Sequence, residues 1–198
     1  MEYLVTMTTQ VPEGTPQEAV DDIRDREAVH SRELAAQGHL LRLWRPPLKP
    51  GEWRSLGLFA ADDRMQLDEV LASMPLRVWR TDEVTPLSPH PNDPAQTAAS
   101  GAPEFLTIFT ISIPKGTSDR LVDDTETRES ARAKELAQQE RLERLWVLPG
   151  PGHALGLWRA RDASELKGIV ESLPLNSWMT TEITPLSAHP SDPVVSRS

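Results

Sequence analysis

The chain has 198 residues, 38% of them hydrophobic, and a formal net charge of −9. That length suits one large domain or two small ones, and the acidic balance argues against nonspecific nucleic-acid binding, which needs a basic surface. There is no cysteine, which excludes disulfides, thiol nucleophiles and Cys-ligated metal sites. Met1-Glu2-Tyr3-Leu4-Val5 has no basic n-region, so no signal peptide is read. No stretch approaches the ~20 apolar residues of a membrane span. A cytoplasmic protein without a membrane partner is the expectation.

Tyr3 to Val11 alternates and is rich in β-formers, predicting a strand. Pro12-Glu13-Gly14-Thr15-Pro16 predicts a turn, with Thr15 as N-cap and Pro16 at the first helical position. The helix runs to about Gln37, and Gly38 is its expected stop. Leu40 to Arg45 and Trp53 to Ala60 read as strands across the loop Pro46 to Gly51. Asp62-Asp63 opens a second helix with Leu67, Val70 and Leu71 on its apolar face and Pro75 at its end. Leu76 to Leu87 reads as the last strand. The order β-α-β-β-α-β is that of a ferredoxin-like split βαβ unit.

The whole pattern then recurs. Arg26-Glu27 answers to Arg128-Glu129, and Arg42-Leu43-Trp44 to Arg144-Leu145-Trp146, at an offset of 102. Leu56-Gly57-Leu58 answers to Leu155-Gly156-Leu157, and His90-Pro91 to His189-Pro190, at an offset of 99. This is a tandem duplication of a unit of roughly 90 residues, a plausible small domain. The expected organisation is a first unit over residues 1–91, a linker over 92–103 and a second unit over 104–193. Two copies suit a fused dimer better than a solenoid.

In the first helix Val20, Ile23, Glu27, His30 and Leu34 trace one face at helical spacing. Val122, Thr125, Glu129, Arg132 and Leu136 repeat it. A glutamate on an inward stripe is costly unless it is paired or lines a wet pocket. Glu27 and Glu129 therefore read either as structural partners of a base or as general acid/base groups. Arg42 and Arg144 alternate with Leu40/Trp44 and Leu142/Trp146, which predicts one shared strand face. Trp44, Trp146, Trp79 and Trp178 recur in register, which fits core or interface positions or the wall of a pocket. His90 and His189, each before a proline, read as turn-packing residues within reach of a neighbouring unit's pocket. The histidines show no metal-ligand spacing.

The string Glu33-Leu34, Gly38, Leu43-Trp44-Arg45, Pro75-Leu76, Glu83-Val84 and His90-Pro91 resembles muconolactone Δ-isomerase and its relatives, over nearly all of each repeat. The resemblance implies an α+β chain of two ferredoxin-like βαββαβ units packed as a pseudo-dimeric α/β barrel. Further homo-oligomerisation is implied as well, since the family builds rings. The family reaction moves a double bond in a butenolide. A carboxylate removes the γ proton, a dienolate forms, and a proton returns at the α carbon. It needs a base, a donor or cation at the lactone oxygen and a cation for the carboxymethyl group, but no cofactor or metal.

By position the resemblance assigns catalysis to Glu129 first and Glu27 second, with Arg132 and His30 as the groups one turn on. Arg144 and Arg42, at a mid-strand position where the family has a histidine, are either substrate-anion clamps or partners of the helix glutamate, and Trp146, Trp44, Trp178 and Trp79 are the candidate substrate-binding walls. The family's Tyr-x-Asn-Tyr hairpin is missing, replaced by Trp53-Arg54-Ser55-Leu56 and Gly152-His153-Ala154-Leu155. Trp79 and Trp178 stand where the family has a last-strand tyrosine. These departures predict a pocket for a small molecule bulkier and more apolar than muconolactone, such as an unsaturated lactone or enone of secondary metabolism. Two other functions stay open: a polyketide-type cyclase or cofactor-free monooxygenase on the same fold, and a non-catalytic binding module. The last predicts no cavity and both glutamates saturated by arginines.

Overall fold

A computed structural model describes residues 1–95 and 102–195; residues 96–101 of the expected linker lie outside the described residues. Each repeat folds as expected. The first gives β1 (Glu2–Thr9), α1 (Gln17–Ala36), β2 (Leu40–Arg45), β3 (Arg54–Ala60), α2 (Arg64–Ser73) and β4 (Arg80–Pro89). The second gives β5 (Glu104–Ile111), α3 (Asp119–Gln138), β6 (Leu142–Val147), β7 (His153–Arg159), α4 (Ala163–Glu171) and β8 (Met179–Ala188). Among the described residues no helix is long and apolar enough to cross a membrane.

The chain divides into two compact units, Met1–Leu87 with Ser187–Ser198, and Ser88–Leu186. The first unit is an antiparallel sheet in the order β4-β1-β3-β2. Strict alternation on β1 buries Tyr3, Val5, Met7 and Thr9 against the helices. Phe59, Leu67 and Leu71 complete that core. Ser187 and Ala188, which follow the second repeat's last strand, pair with Arg45 and Trp44 of β2. The second unit has the equivalent order β8-β5-β7-β6. Its core is built on Phe105, Leu136, Trp158 and Leu166. Here Ser88 and Pro89 pair with Val147 and Trp146.

Three local features differ from the sequence expectations, and each positions the site. First, Thr15 does not cap α1. Its hydroxyl donates to Pro12 O at 2.7 Å, and Pro16 takes the cap position without a side-chain bond. The turn's own bond outcompetes the helix. In α3 Ser118 does cap, accepting from Leu121 N.

Second, the strand expected from Leu76 begins later, at Arg80. Pro75–Trp79 forms a 3-10 turn, and Pro174–Trp178 does the same in the second unit. Proline cannot continue the preceding helix but suits the first turn of a new one. The turn leaves its early N–H groups unpaired, and Leu76 N–H is one of them. Trp79 and Trp178 therefore sit on these turns and not on a strand.

Third, β2 and β6 are bulged between Leu40 and Arg42 and between Leu142 and Arg144. A bulge inserts one residue and resets which face follows. Leu40 and Leu43 both enter the first core, as Leu142 and Leu145 enter the second. Arg42 and Trp44 therefore do not share the face of Leu40. Alternation alone could not reveal this, because a one-residue slip reverses every later side chain.

Candidate active site

Each unit holds a cavity beside its long helix; of the stripe expected to face inward, Glu27 lines the first and Glu129 the second. The first is about 450 Å³. α1 gives Arg24, Glu27 and Ser31 to its wall, β1 gives Met7 and Thr9, and β2 gives Leu43 and Arg45. Trp53, Arg80 and the segment His189-Pro190-Ser191 add to it, and α1 also brings the carboxylates of Asp21 and Asp25 to its edge.

Glu27 is fixed at both oxygens. Oε2 accepts the Leu76 N–H at 2.8 Å, so the carboxylate satisfies the exposed start of the 3-10 turn. Oε1 accepts from Arg80 Nη1 at 3.1 Å. Arg80 is itself buried and held by Asp82, with Nε to Oδ1 at 2.7 Å and Nη2 to Oδ2 at 3.2 Å. Burial pushes the Glu27 carboxyl above its ordinary range; the Leu76 N–H and the Arg80 charge oppose part of that rise.

Two more cations border the same cavity. Arg24 lies 5.5 Å above the Trp53 ring and only 3.8 Å from Asp21, so Trp53 holds it by cation–π attraction. Arg45 is exposed at the end of β2. Its side chain makes no hydrogen bond or ion pair with a described residue. His189 lies among them. Its Nδ1 accepts from the Ser191 N–H at 3.1 Å, which puts the ring proton on Nε2. Burial first, then the charges of Arg45 and Arg24, push its pKa down to about 4. At neutral pH it is an uncharged donor.

The second cavity is about 300 Å³. Glu129 occupies the position of Glu27, and its Oε2 accepts the Leu175 N–H at 3.0 Å. Burial again pushes the carboxyl up, opposed only by that N–H. Among the described residues no arginine pairs with it or lines this cavity. The residues equivalent to Arg24, Arg45 and Arg80 are Glu126, Val147 and Met179. Phe109, Ile111, Leu145 and Trp158 form most of the remaining wall. His90 lines this cavity as His189 lines the first. Its Nδ1 accepts from Asn92 N–H at 3.1 Å, and burial pushes its pKa down.

The family model described as muconolactone delta-isomerase matches residues 1–93 and again residues 104–192. The chain belongs to the muconolactone delta-isomerase family. Among its relatives, muconolactone Delta-isomerase 1 of Acinetobacter lwoffii is 32% identical over 92 residues, 46% of this chain and 93% of that protein. The muconolactone Delta-isomerase of Cupriavidus pinatubonensis is likewise 32% identical, over 46% of this chain and 97% of its own length. A fold likeness spans nearly the whole chain. Chlorite dismutase from Candidatus Nitrospira defluvii superposes with a TM-score of 0.60 at 11% identity, over 99% of this chain and 94% of that one.

Several residues that the family resemblance singled out lie away from both cavities. His30 bridges Glu33 at 2.9 Å and the Ser73 hydroxyl at 2.8 Å. Arg132 bridges Glu135 and Ser172, each at 3.0 Å. Both therefore tie the long helix to the end of the shorter one. It is the next residue, Ser31 or Ala133, that faces the cavity.

Arg42 and Arg144 are not clamps in either cavity. Arg42 is buried against Asp192 at 3.0 Å and stacks 4.8 Å from the Trp44 ring. Arg144 pairs with Asp93 at 3.3 Å and stacks 4.7 Å from Trp146. The β-bulge turned these residues away, and the conserved pairing in both units anchors the segments that carry His189 and His90. Trp44 and Trp146 are consequently buried packing residues, and Trp79 and Trp178 sit half-buried on the 3-10 turns. The tryptophans that do line a cavity are Trp53 and Trp158.

The residues that sequence reading missed are Arg24, Ser31, Arg45 and Arg80, whereas His189 stands in a pocket, as one of the two readings of it had it. Arg24 is one helical turn before Glu27, so its placement had a local signal. Arg80 had none: it meets Glu27 across 53 residues of sequence.

Proposed function

We propose that the chain is a cofactor-independent isomerase that moves a proton, and with it a double bond, in a carboxylate-bearing unsaturated lactone or related enone. We assign the chemistry to the first unit's cavity. The observation that carries this reading is one cavity holding a carboxylate raised by burial together with three arginines, Arg24, Arg45 and Arg80.

In this reading Glu27 is the base. Its raised pKa brings it nearer the operating pH, which favours proton transfer in both directions. Glu27 takes the γ proton, the electron pair moves into a dienolate, and the same carboxyl returns the proton at the α carbon. Arg80 and the Leu76 N–H hold the carboxylate in place. His189, neutral and donating from Nε2, suits the lactone oxygen on which negative charge develops; a fixed donor there stabilises the transition state. Arg24 and Arg45, at the cavity's exposed side, suit the substrate carboxylate. Arg24 and Arg80 have carboxylate partners of their own, whereas Arg45 makes no ion pair with a described residue, so Arg45 is the cation left to meet a substrate carboxylate.

The assignment reverses the sequence-based order, in which Glu129 came first. Glu129 has no cation beside it to hold a substrate anion or a dienolate. The binding-module alternative predicted closed interiors and two saturated glutamates; the two cavities and the unpaired side of Glu129 speak against it. The test is solvent-deuterium exchange. Carboxylated enol-lactones of increasing size are incubated in heavy water and followed by proton NMR. Double-bond migration with deuterium at the α carbon, lost in Glu27→Gln, is the expected result. Binding at the Trp53 side without exchange of any lactone or enone would overturn the isomerase reading.

A further inference from the structure

We infer that the second unit's cavity is a separate ligand site for a neutral, mostly hydrocarbon molecule of one or two rings bearing a single hydrogen-bonding group. The first argument is charge. At each position where the first cavity has an arginine, the second has Glu126, Val147 or Met179. An anionic ligand would meet Glu129 with no compensating cation, and burying an unpaired charge is prohibitive. An ammonium would have to leave water for walls of Phe109, Leu145, Trp158 and Met179, with the half-buried Glu129 as its one inner partner, since Glu126 stays exposed at the rim.

The second argument is space. Ser31 and Ser55 of the first cavity are replaced by Ala133 and Ala154, whereas Ala28 is replaced by Ser130, so the second is smaller and its walls beside Glu129 are more apolar. A dry cavity of about 150 Å³ already takes a benzene ring, and this one is about 300 Å³. Trp158 is locked as a wall, its indole N–H donating to Thr107 Oγ1 at 2.8 Å. It packs on Gly156, where any Cβ would collide with the indole. The wall is thus rigid and in place before any ligand arrives, which lowers the ordering cost of binding.

The third argument is a polar handle. Of the polar groups that line the cavity, His90, Asn92, Glu126, Glu129 and Ser130, Glu129 is the one that burial and a free oxygen single out. Leu175 N–H occupies Oε2 of Glu129, and the other oxygen makes no hydrogen bond with a described residue. A hydroxyl or amide N–H on an apolar ring would donate to it, and no second polar group is needed. This site does not depend on the isomerase assignment, because it is argued from different residues and read by a different tryptophan.

The indole N–H resonances of Trp158 and Trp53 report the two cavities in one NMR titration, assigned with Trp158→Phe and Trp53→Phe. Three matched probes are added to the full chain: naphthol, naphthoate and naphthylmethylammonium. The inference predicts that naphthol shifts Trp158 and binds there at least about tenfold more tightly than either ion, a difference of about 1.4 kcal/mol. Naphthoate should shift Trp53 instead. Ala154→Leu, which fills the second cavity, should abolish the Trp158 response while the Trp53 response to naphthoate persists and reports an intact fold. Met179→Arg should let naphthoate into the second cavity. A Trp158 resonance unmoved by saturating naphthol, moved equally by either ion, or still responsive in Ala154→Leu would overturn the inference.

Discussion

Glu27 and Glu129 sit on equivalent turns of equivalent helices. Each accepts a backbone N–H from the following 3-10 turn, and each is pushed up by burial. Their surroundings have diverged. The first shares its cavity with Arg24, Arg45 and Arg80; the second faces Glu126, Met179 and an aromatic wall. The duplicated scaffold supplies a half-buried carboxylate and a cavity in both units. The three arginines by which the two cavities differ come from three different elements, α1, β2 and β4.

Exchanging residues between the units tests how far this comparison holds. The largest stability effect is expected from Arg80→Met, the second unit's residue placed in the first. It strips the cation from Asp82 and Glu27, both largely buried. Breaking a buried pair from one side costs about 3–5 kcal/mol, readable by urea denaturation. Arg42→Ala should cost a similar amount, since Asp192 is fully buried beside it.

Next in size is the double exchange Arg24→Glu with Arg45→Val. Loss of two charge-assisted contacts to a substrate carboxylate, each worth about 1.5–3 kcal/mol, should raise KM by roughly a hundredfold or more. Little change in kcat is expected, because these groups bind ground state and transition state alike. A fall in kcat with KM unchanged would move them from anchoring to chemistry.

The pH dependence separates the units more finely. The folded pKa of Glu129 is raised above its ordinary 4.5. Its contribution to stability is therefore complete below that value and is lost as pH rises through the folded pKa. Glu129→Gln should flatten stability over that window and leave the protein relatively more stable at neutral pH. His189 runs the other way. With its folded pKa lowered from 6.5 to about 4, its contribution is present above pH 6.5 and lost as pH falls through about 4. Thermal melts of His189→Gln should lose that acid-side slope.

The smallest effect concerns the end of the long helix. Gly38 ends α1 at φ +81°, whereas Glu140 holds the equivalent left-handed position at φ +56°. A side chain there costs about 1 kcal/mol, so Glu140→Gly should stabilise the second unit by about 0.5–1 kcal/mol. Gly38→Glu should cost a similar amount in the first.

The repeat, the element order and the inward stripe of α1 and α3 were all legible, because each is carried by a short-range period. The same period put Glu27 and Glu129 on that stripe. What could not be read were events that break a period or join distant segments. The bulge in β2 reset the face of Arg42 and Trp44. The 3-10 turn at Pro75 displaced Trp79 from the strand and created the N–H that holds Glu27. Arg80 reaches the first cavity from elsewhere in the chain with no local pattern to announce it.

The central claim is that the first unit does the chemistry. It is tested most directly by the isomerisation rate of Glu27→Gln beside that of Glu129→Gln on one carboxylated enol-lactone, both variants checked for an unchanged fold. The account predicts a loss of roughly a hundredfold to ten-thousandfold for Glu27→Gln, the usual weight of a general base, and a rate within about threefold of the parent for Glu129→Gln. Equal losses, or the larger loss in Glu129→Gln, would contradict it.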